Sequence, residues 1–343
     1  MNRRDFVLRT AAAAAGVAIA RDFSFAYAQD HVVIDRGWAK VSQLVDGIWV
    51  TIADFSKGSQ AMSNGGVLAG KTAALLFEGH LQPEAAALEI EVAKQATKAP
   101  IRGAVNSHYH FDHTFGNEAY ARQSIPIIAH PAAAKLMQER YVAMKGKGAS
   151  IPAGIEQQIA AAKTDLEREH LKTDLGLAQM MGASIDGTNI TLPTESVTSQ
   201  RIDLGGLTAV IEPRPGHTIT DIIVRVPERD VIFTGDLLHA LYPVTFDANM
   251  TAWRNVLDEF MKEAASTRFV PGHGPVWGVK DVRQFADIFD DLRAYSEKMM
   301  KAGVPVQEAQ HRYVVPAQFK DWLILSWGFT IGAAVTKYYQ ELK

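Results

Sequence analysis

Apolar residues set a strand-like pattern along the first part of the chain. The segment from Val41 to Phe77 reads as strands. Gln43 to Ile52 carries apolar residues around the turn pair Asp46-Gly47, and the runs Gly66–Ala69 and Ala73–Phe77 flank Gly70-Lys71 as a hairpin. The period then lengthens. Pro83 opens a helix in which Leu88 and Val92 stand one turn apart, closed before Pro100. Ile101 to Asn106 is a short buried strand that runs directly into a histidine-rich loop. A helix over about Thr114–Arg122, a strand over Ile125–Ala129 and a helix from Pro131 to about Lys145 follow.

Gly154 to Gly182 differs in character: Ile155, Ile159, Ala162 and Leu166 keep helical spacing and the polar face is densely charged. This predicts a helical insertion lying over the main body. Strands return at Val197–Leu204, Leu207–Glu212, Asp221–Val226 and Val231–Thr234. Helices close the chain around Thr251–Ala264, Asp281–Lys301 and Ala317–Tyr339. Strands cluster twice, each set finished by helices, which predicts one α/β domain over residues 29–343 built as two similar halves.

The first residues follow another rule. Asn2 to Arg9 is basic, Thr10 to Ala20 is apolar, and Ala26-Tyr27-Ala28 has the small-x-small form of a cleavage site. Residues 1–28 therefore read as an export signal. The pair Arg3-Arg4 with Phe6 resembles the twin-arginine type, which implies a periplasmic or secreted protein. Trp322 to Val335 is too short to span a bilayer and contains Ser326, Gly328, Thr330 and Gly332; it reads as a buried C-terminal helix.

Composition narrows the chemistry. The 343 residues are 47% hydrophobic, enough to bury a core, and 35 Lys and Arg against 38 Asp and Glu leave a formal charge of -3. That is neither a basic footprint for nucleic acid nor a polybasic membrane anchor. The absence of cysteine excludes disulfides, thiolate nucleophiles, iron–sulfur clusters, Cys-ligated zinc and a lipoprotein anchor. Any metal must be held by histidines and carboxylates, which points to hydrolysis.

Those residue types cluster in Asn106-Ser107-His108-Tyr109-His110-Phe111-Asp112-His113. In an extended segment, residues 108 and 110 point the same way and can grip one ion. Once the chain turns, Asp112 and His113 can reach a second ion a few ångström away. Three later residues, each beside a glycine in a loop at a strand end, complete the set. They are His217 in Pro215-Gly216-His217-Thr218, Asp236 in Phe233-Thr234-Gly235-Asp236, and His273 in Pro271-Gly272-His273-Gly274.

In this order the residues resemble the metallo-β-lactamase superfamily over essentially the whole chain after residue 28, and within it exported dinuclear hydrolases of glyoxalase II-like or lactonase-like type. The resemblance implies an αββα sandwich with the site at one edge of the two sheets. It implies two divalent ions, zinc first, with iron or manganese as alternatives. His108, His110 and His217 would hold one ion, Asp112, His113 and His273 the other, and Asp236 would bridge them. The lactamases most often studied carry Cys at that bridging place or lack the bridge. Glu78-Gly79-His80 stands where the family often has an acidic residue followed by Thr-Gly, which leaves the role of Glu78 open.

These features imply a hydrolase of a carboxylic ester, thioester or lactone, with a small-molecule substrate as its partner. Two ions would acidify a water, and Asp112 would orient it and pass on its proton. The alternatives are a β-lactam hydrolase, a phosphoester hydrolase, a single-iron persulfide dioxygenase and a non-catalytic exported metal-binding protein. Tyr109, Phe111, His239, Tyr242 and Trp277 stand beside ligands as pocket-lining candidates. Of these, Tyr242 and Trp277 are the expected substrate contacts. His31, His80, His130, His170 and His311 lack ligand spacing and read as surface or core histidines.

Overall fold

Strand-forming runs from both halves of the chain pair into two sheets. The computed structural model describes residues 32–343, so the export signal read over residues 1–28 lies outside the described residues. The first sheet takes its strands in chain order: β1 (Val32–Asp35), β2 (Ala39–Val45), β3 (Ile48–Ala53), β4 (Gly65–Ala69), β5 (Ala74–Phe77), β6 (Ile101–Val105), β7 (Ile127–Ala129) and β8 (Glu195–Ser196). The second is ordered β13-β12-β11-β10-β9, from β9 (Gln200–Asp203), β10 (Thr208–Pro213), β11 (Ile222–Val226), β12 (Val231–His239) and β13 (Arg268–His273). The hairpin between β2 and β3 turns on Asp46-Gly47, with Gly47 at φ +76°. From β5 to β8 the pairing is parallel, as it is between β12 and β13.

Alternation along each strand divides the side chains between two cores. In β5, Leu75 and Phe77 point into the space between the sheets, where they meet the layer of Ile211, Val224, Phe233 and Val270. Ala74 and Leu76 face outward beneath the helix Pro83–Ala96, which brings Ala86, Ile90 and Ala93. On the far side, Phe269 points outward from β13 to Trp253, Phe285 and Phe289, carried by the helices Met250–Phe260 and Val279–Lys301. The result is an αββα sandwich. Full burial of each such side chain contributes about 1.5–3 kcal/mol.

Several stretches depart from the patterned expectation. The strand read over Val197–Leu204 is confined to β9, Gln200–Asp203, because the chain first crosses from β8 in the other sheet, burying Val197 and Ile202 in the shared core. β12 continues past Thr234 to His239, since its pairing with β13 resumes beyond an irregularity at Gly235. The helix read over Thr114–Arg122 starts at Phe111 and tightens to a 3₁₀ turn at Phe115–Asn117. There the Asn117 amide is drawn inward to exchange hydrogen bonds with Asn106 at 3.0 and 2.9 Å. The insertion is a pair of helices, Ser150–Ala161 and Asp165–Gly187, the second capped by Thr164.

The C-terminal helix read over Ala317–Tyr339 is broken. A 3₁₀ turn at Ala317–Phe319 and a π turn at Gly328–Gly332 precede a regular helix only at Ala333–Glu341. The break has a visible cause, because the Asp174 carboxylate accepts from Ser326 Oγ at 2.7 Å and Gly328 N at 2.9 Å. Among the described residues no helix is long and apolar enough to cross a membrane.

Candidate metal centre

Hydrogen bonds between the layers gather the candidate ligands at one edge of the sandwich. Ile222 N donates to Ser107 O at 2.8 Å, tying the loop after β6 to the second sheet. Asn64 Nδ2 donates to Pro271 O at 2.9 Å and Gly274 O at 2.7 Å, which secures the loop that ends β13. His110 is extended and serves as N-cap of the short helix Phe111–Thr114. Two candidate ligands thus precede the turn, and Asp112 and His113 lie within it. His217 is presented by a loop wound around Asp221, whose carboxylate accepts from Gly216 N, Thr218 N and Thr218 Oγ1 at 3.0, 2.8 and 2.7 Å.

Glycine is required where these loops close on one another. A Cβ on Gly272 would stand 1.9 Å from Asp236 Oδ1, and one on Gly235, at φ +53°, would stand 2.3 Å from Ser107 Oγ. Gly272→Ala should therefore push the Asp236 carboxylate out of place and cost about 1–3 kcal/mol of stability. Thermal unfolding with parallel metal analysis checks this; wild-type melting and metal content would contradict it.

The seven residues come together in overlapping groups. His108, His110 and His217 offer ligand atoms all within 4.8 Å of one another, with His217 Nε2 3.1 Å from His110 Nδ1. Asp112, His113 and His273 form a second group, the two ring nitrogens 3.4 and 3.3 Å from Asp112 Oδ2. Asp236 stands between the groups. Its Oδ1 lies 3.2 Å from His113 Nε2 and 3.3 Å from His273 Nε2, and its Oδ2 lies 3.7 Å from His217 Nε2.

The far side of four of the five rings is hydrogen-bonded, and that of His113 faces a carboxylate. Ser107 Oγ meets His108 Nδ1 at 2.9 Å, His217 Nδ1 donates to Val244 O at 3.0 Å, and His273 Nδ1 donates to Met62 O at 2.9 Å. His110 Nε2 lies 3.1 Å from Asp247 Oδ2, and His113 Nδ1 lies 3.2 Å from Glu78 Oε1. These contacts fix the rings so that the opposite nitrogens present lone pairs inward. His108 Nε2, His113 Nε2 and Asp236 Oδ1 are buried there with no hydrogen-bond partner. Buried polar atoms are rarely left so. Five imidazoles and two carboxylates converging on orphaned atoms fit divalent ions that prefer nitrogen and oxygen donors.

His108 and His217 are shifted in the opposite direction from His113 and His273. Burial and the neighbouring imidazoles pull His108 well down and His217 down to about 3. Burial opposes charge on His273 and His113 as well, but Asp236 and Asp112 outweigh it, lifting His273 to about 10 and His113 well above the usual histidine range. Without metal, the Asp112 side therefore keeps protons at neutral pH, whereas a ligating histidine must be neutral. Zinc titrated into metal-stripped protein at pH 7 should release about two protons, and release should decline as pH rises through 10. Calorimetry in buffers of different ionisation enthalpy counts them; no release at pH 7 would contradict this.

Residues 59–273, well over half the chain, match the family model for the metallo-beta-lactamase superfamily. The chain belongs to the metallo-β-lactamase superfamily. Among relatives, the metallo-beta-lactamase type 2 of Bacteroides fragilis is 22% identical over 247 residues, covering 70% of this chain and 81% of that protein. An uncharacterised protein of Mycobacterium tuberculosis is 28% identical over 130 residues. That match covers 34% of this chain and 58% of the mycobacterial protein, so it spans little over half of that relative's length. The metallo-beta-lactamase from Pontibacter korlensis superposes with TM-score 0.53 at 18% identity, covering 74% of this chain and 99% of that one. A stereoselective inverting sec-alkylsulfatase from Pseudomonas sp. gives TM-score 0.60 at 16% identity, covering 88% of this chain and 50% of that one. At these identities the superpositions establish the superfamily fold.

Within that fold, Tyr242 and Trp277 depart from the expected substrate contacts. Both are buried in the core behind the second sheet. The Tyr242 hydroxyl is committed to Tyr313 at 2.6 Å, and Trp277 packs edge-on to Phe285 and Trp322, so neither has a free face to offer. Phe111 packs with Phe115 and Tyr141, and the Tyr109 hydroxyl donates to Asp247. His239 lies between Trp253 and Phe285, its ring 6.2 Å from that of His217 and 6.3 Å from that of His273, with both nitrogens unpartnered. His80 is a core histidine, 3.1 Å from Glu89.

Glu78 gains a definite place. One oxygen faces His113 and the other accepts from Ser107 N at 3.3 Å. Asp247 was not singled out by the sequence, since it stands alone in Phe246-Asp247-Ala248 with no ligand-like spacing. Arg140 donates to it at 2.8 and 2.7 Å.

Proposed function

We propose that this protein is an exported dinuclear metallohydrolase that cleaves a carboxylic ester, thioester or lactone. The observation that carries the reading is the position of Asp236, one oxygen turned to His113 and His273 and the other to His217. His108, His110 and His217 would hold one ion and Asp112, His113 and His273 the other, with zinc the expected metal. Such a pair supplies a water acidified to about neutrality and positive charge for the developing oxyanion. In the metal-free protein His113 and His273 hold the Asp112 carboxyl well below the usual range although burial opposes this. With the ions bound, Asp112 would orient the attacking water as a hydrogen-bond acceptor and pass its proton on to the leaving group. Export rests on Arg3-Arg4 and Ala26-Tyr27-Ala28.

The lactamase relatives make β-lactam hydrolysis the second reading, and the carboxylate at Asp236 favours the first. A panel of a lactone, a thioester, an aryl carboxylic ester, an alkyl sulfate, a phosphodiester and nitrocefin tests both on the zinc-loaded protein. Turnover of a carbonyl ester, thioester or lactone well above that of nitrocefin is expected. Turnover confined to nitrocefin, the sulfate or the phosphodiester would overturn the assignment.

A further inference from the structure

The insertion meets the C-terminal segment around a cavity of about 320 Å³ that shares no residue with the metal centre. His170, on the helix Asp165–Gly187, and His311, on the helix Val306–Arg312, meet on its wall with Nδ1 atoms 3.1 Å apart. The His170 ring lies flat on the Trp327 indole, 3.5 Å between centroids and 7° between planes. That indole is pinned by its own N–H, which donates to Gln310 O at 3.0 Å. His170 is thus held in one orientation, and burial with His311 beside it draws it down to about 4, so it is neutral at physiological pH.

Two carboxylates share this wall. Glu167 and Asp174 stand three residues before and four after His170, on the same face of its helix, and both line the cavity. Each has one oxygen outside its hydrogen bonds to the protein, since Lys163 N takes Glu167 Oε2 while Ser326 and Gly328 take Asp174 Oδ1. Two imidazole nitrogens bound tetrahedrally to one ion at 2.0–2.1 Å lie about 3.3 Å apart, close to the spacing seen here.

We propose that this cavity is a metal site separate from the centre. It takes one divalent transition ion between His170 Nδ1 and His311 Nδ1, with Glu167 and Asp174 supplying negative charge around it and water completing the shell. Nitrogen donors select such an ion over magnesium or calcium. Bound there, it clips the insertion to the C-terminal segment, whose Phe329 packs on Phe246, which stacks in turn on His110.

The test is equilibrium dialysis of the full chain against zinc, read as bound zinc per chain. His311→Gln is the key variant, because His311 is only half-buried and its loss leaves Trp327 and Asp174 in place; His170→Asn is the second. Each should bind one equivalent less zinc than the wild type. Zinc beyond that needed to fill the centre should raise the melting temperature of the wild type and not of His311→Gln. Equal zinc content in wild type and folded His311→Gln would overturn the site and leave a plain histidine–histidine hydrogen bond. The readout is a difference, so it stands apart from how many ions the centre holds.

Discussion

Asp236→Asn should lower turnover by roughly a thousandfold, equivalent to about 4 kcal/mol of lost transition-state stabilisation. The carboxylate reaches both groups of candidate ligands. It is also the charge that offsets five buried imidazoles, and those histidines in return hold its carboxyl well below the usual range although burial opposes this. An amide keeps the shape and one acceptor oxygen but removes the charge. Its nitrogen would face His113 and His273 or His217, leaving one ion without its shared ligand. Metal content should fall together with turnover. An Asp236→Asn protein that kept both its metal content and turnover within tenfold of wild type would remove the bridging role.

Asp247→Ala should weaken metal binding or turnover by about 10–100-fold, although Asp247 is not itself placed to ligate. Its carboxylate receives His110 Nε2 at 3.1 Å, the Tyr109 hydroxyl, and both terminal nitrogens of Arg140 at 2.8 and 2.7 Å. Burial opposes its ionisation, but these donors prevail and keep the carboxyl well below its usual range. The pairing settles which His110 nitrogen carries the proton and turns Nδ1 toward His217. Without it, His110 is free to rotate between Phe246 and Tyr109, and Arg140 loses its partner. Asp247→Asn retains an acceptor for His110 and forfeits only the charge, so its loss should be smaller. Competition with a chelator gives the affinities. Wild-type zinc affinity and turnover in Asp247→Ala would show that His110 needs no such support.

The sequence exposed the candidate ligands and concealed what holds them. His108 to His113 sit in one short run, and each later ligand is marked by an adjacent glycine, so local spacing sufficed. Asp247, Arg140 and Glu78 act through contacts between distant segments; Asp247 and His110 are 137 residues apart, and no periodicity links them. Tyr242 and Trp277 illustrate the converse. Sequence proximity to Asp236 and His273 suggested the pocket, whereas their large apolar bodies took both into the outer core.

Element type was legible wherever local pattern and tertiary packing agreed, as in the hairpin at Gly47 and the helix opened by Pro83. It was not where a distant group intervened. Residues 317–339 carry enough apolar character for a helix, yet Thr173 and Asp174 of the insertion claim the backbone N–H groups of Trp327 and Gly328. Leu323 is meanwhile drawn into a bridge with Leu241.

Anomalous diffraction at the zinc edge from crystals of the zinc-loaded protein reads the number and position of the ions. Two peaks are expected at this edge of the sandwich, one among His108, His110 and His217 and one among Asp112, His113 and His273, with Asp236 touching both. A single peak in that cluster, or peaks that Asp236 does not join, would contradict it.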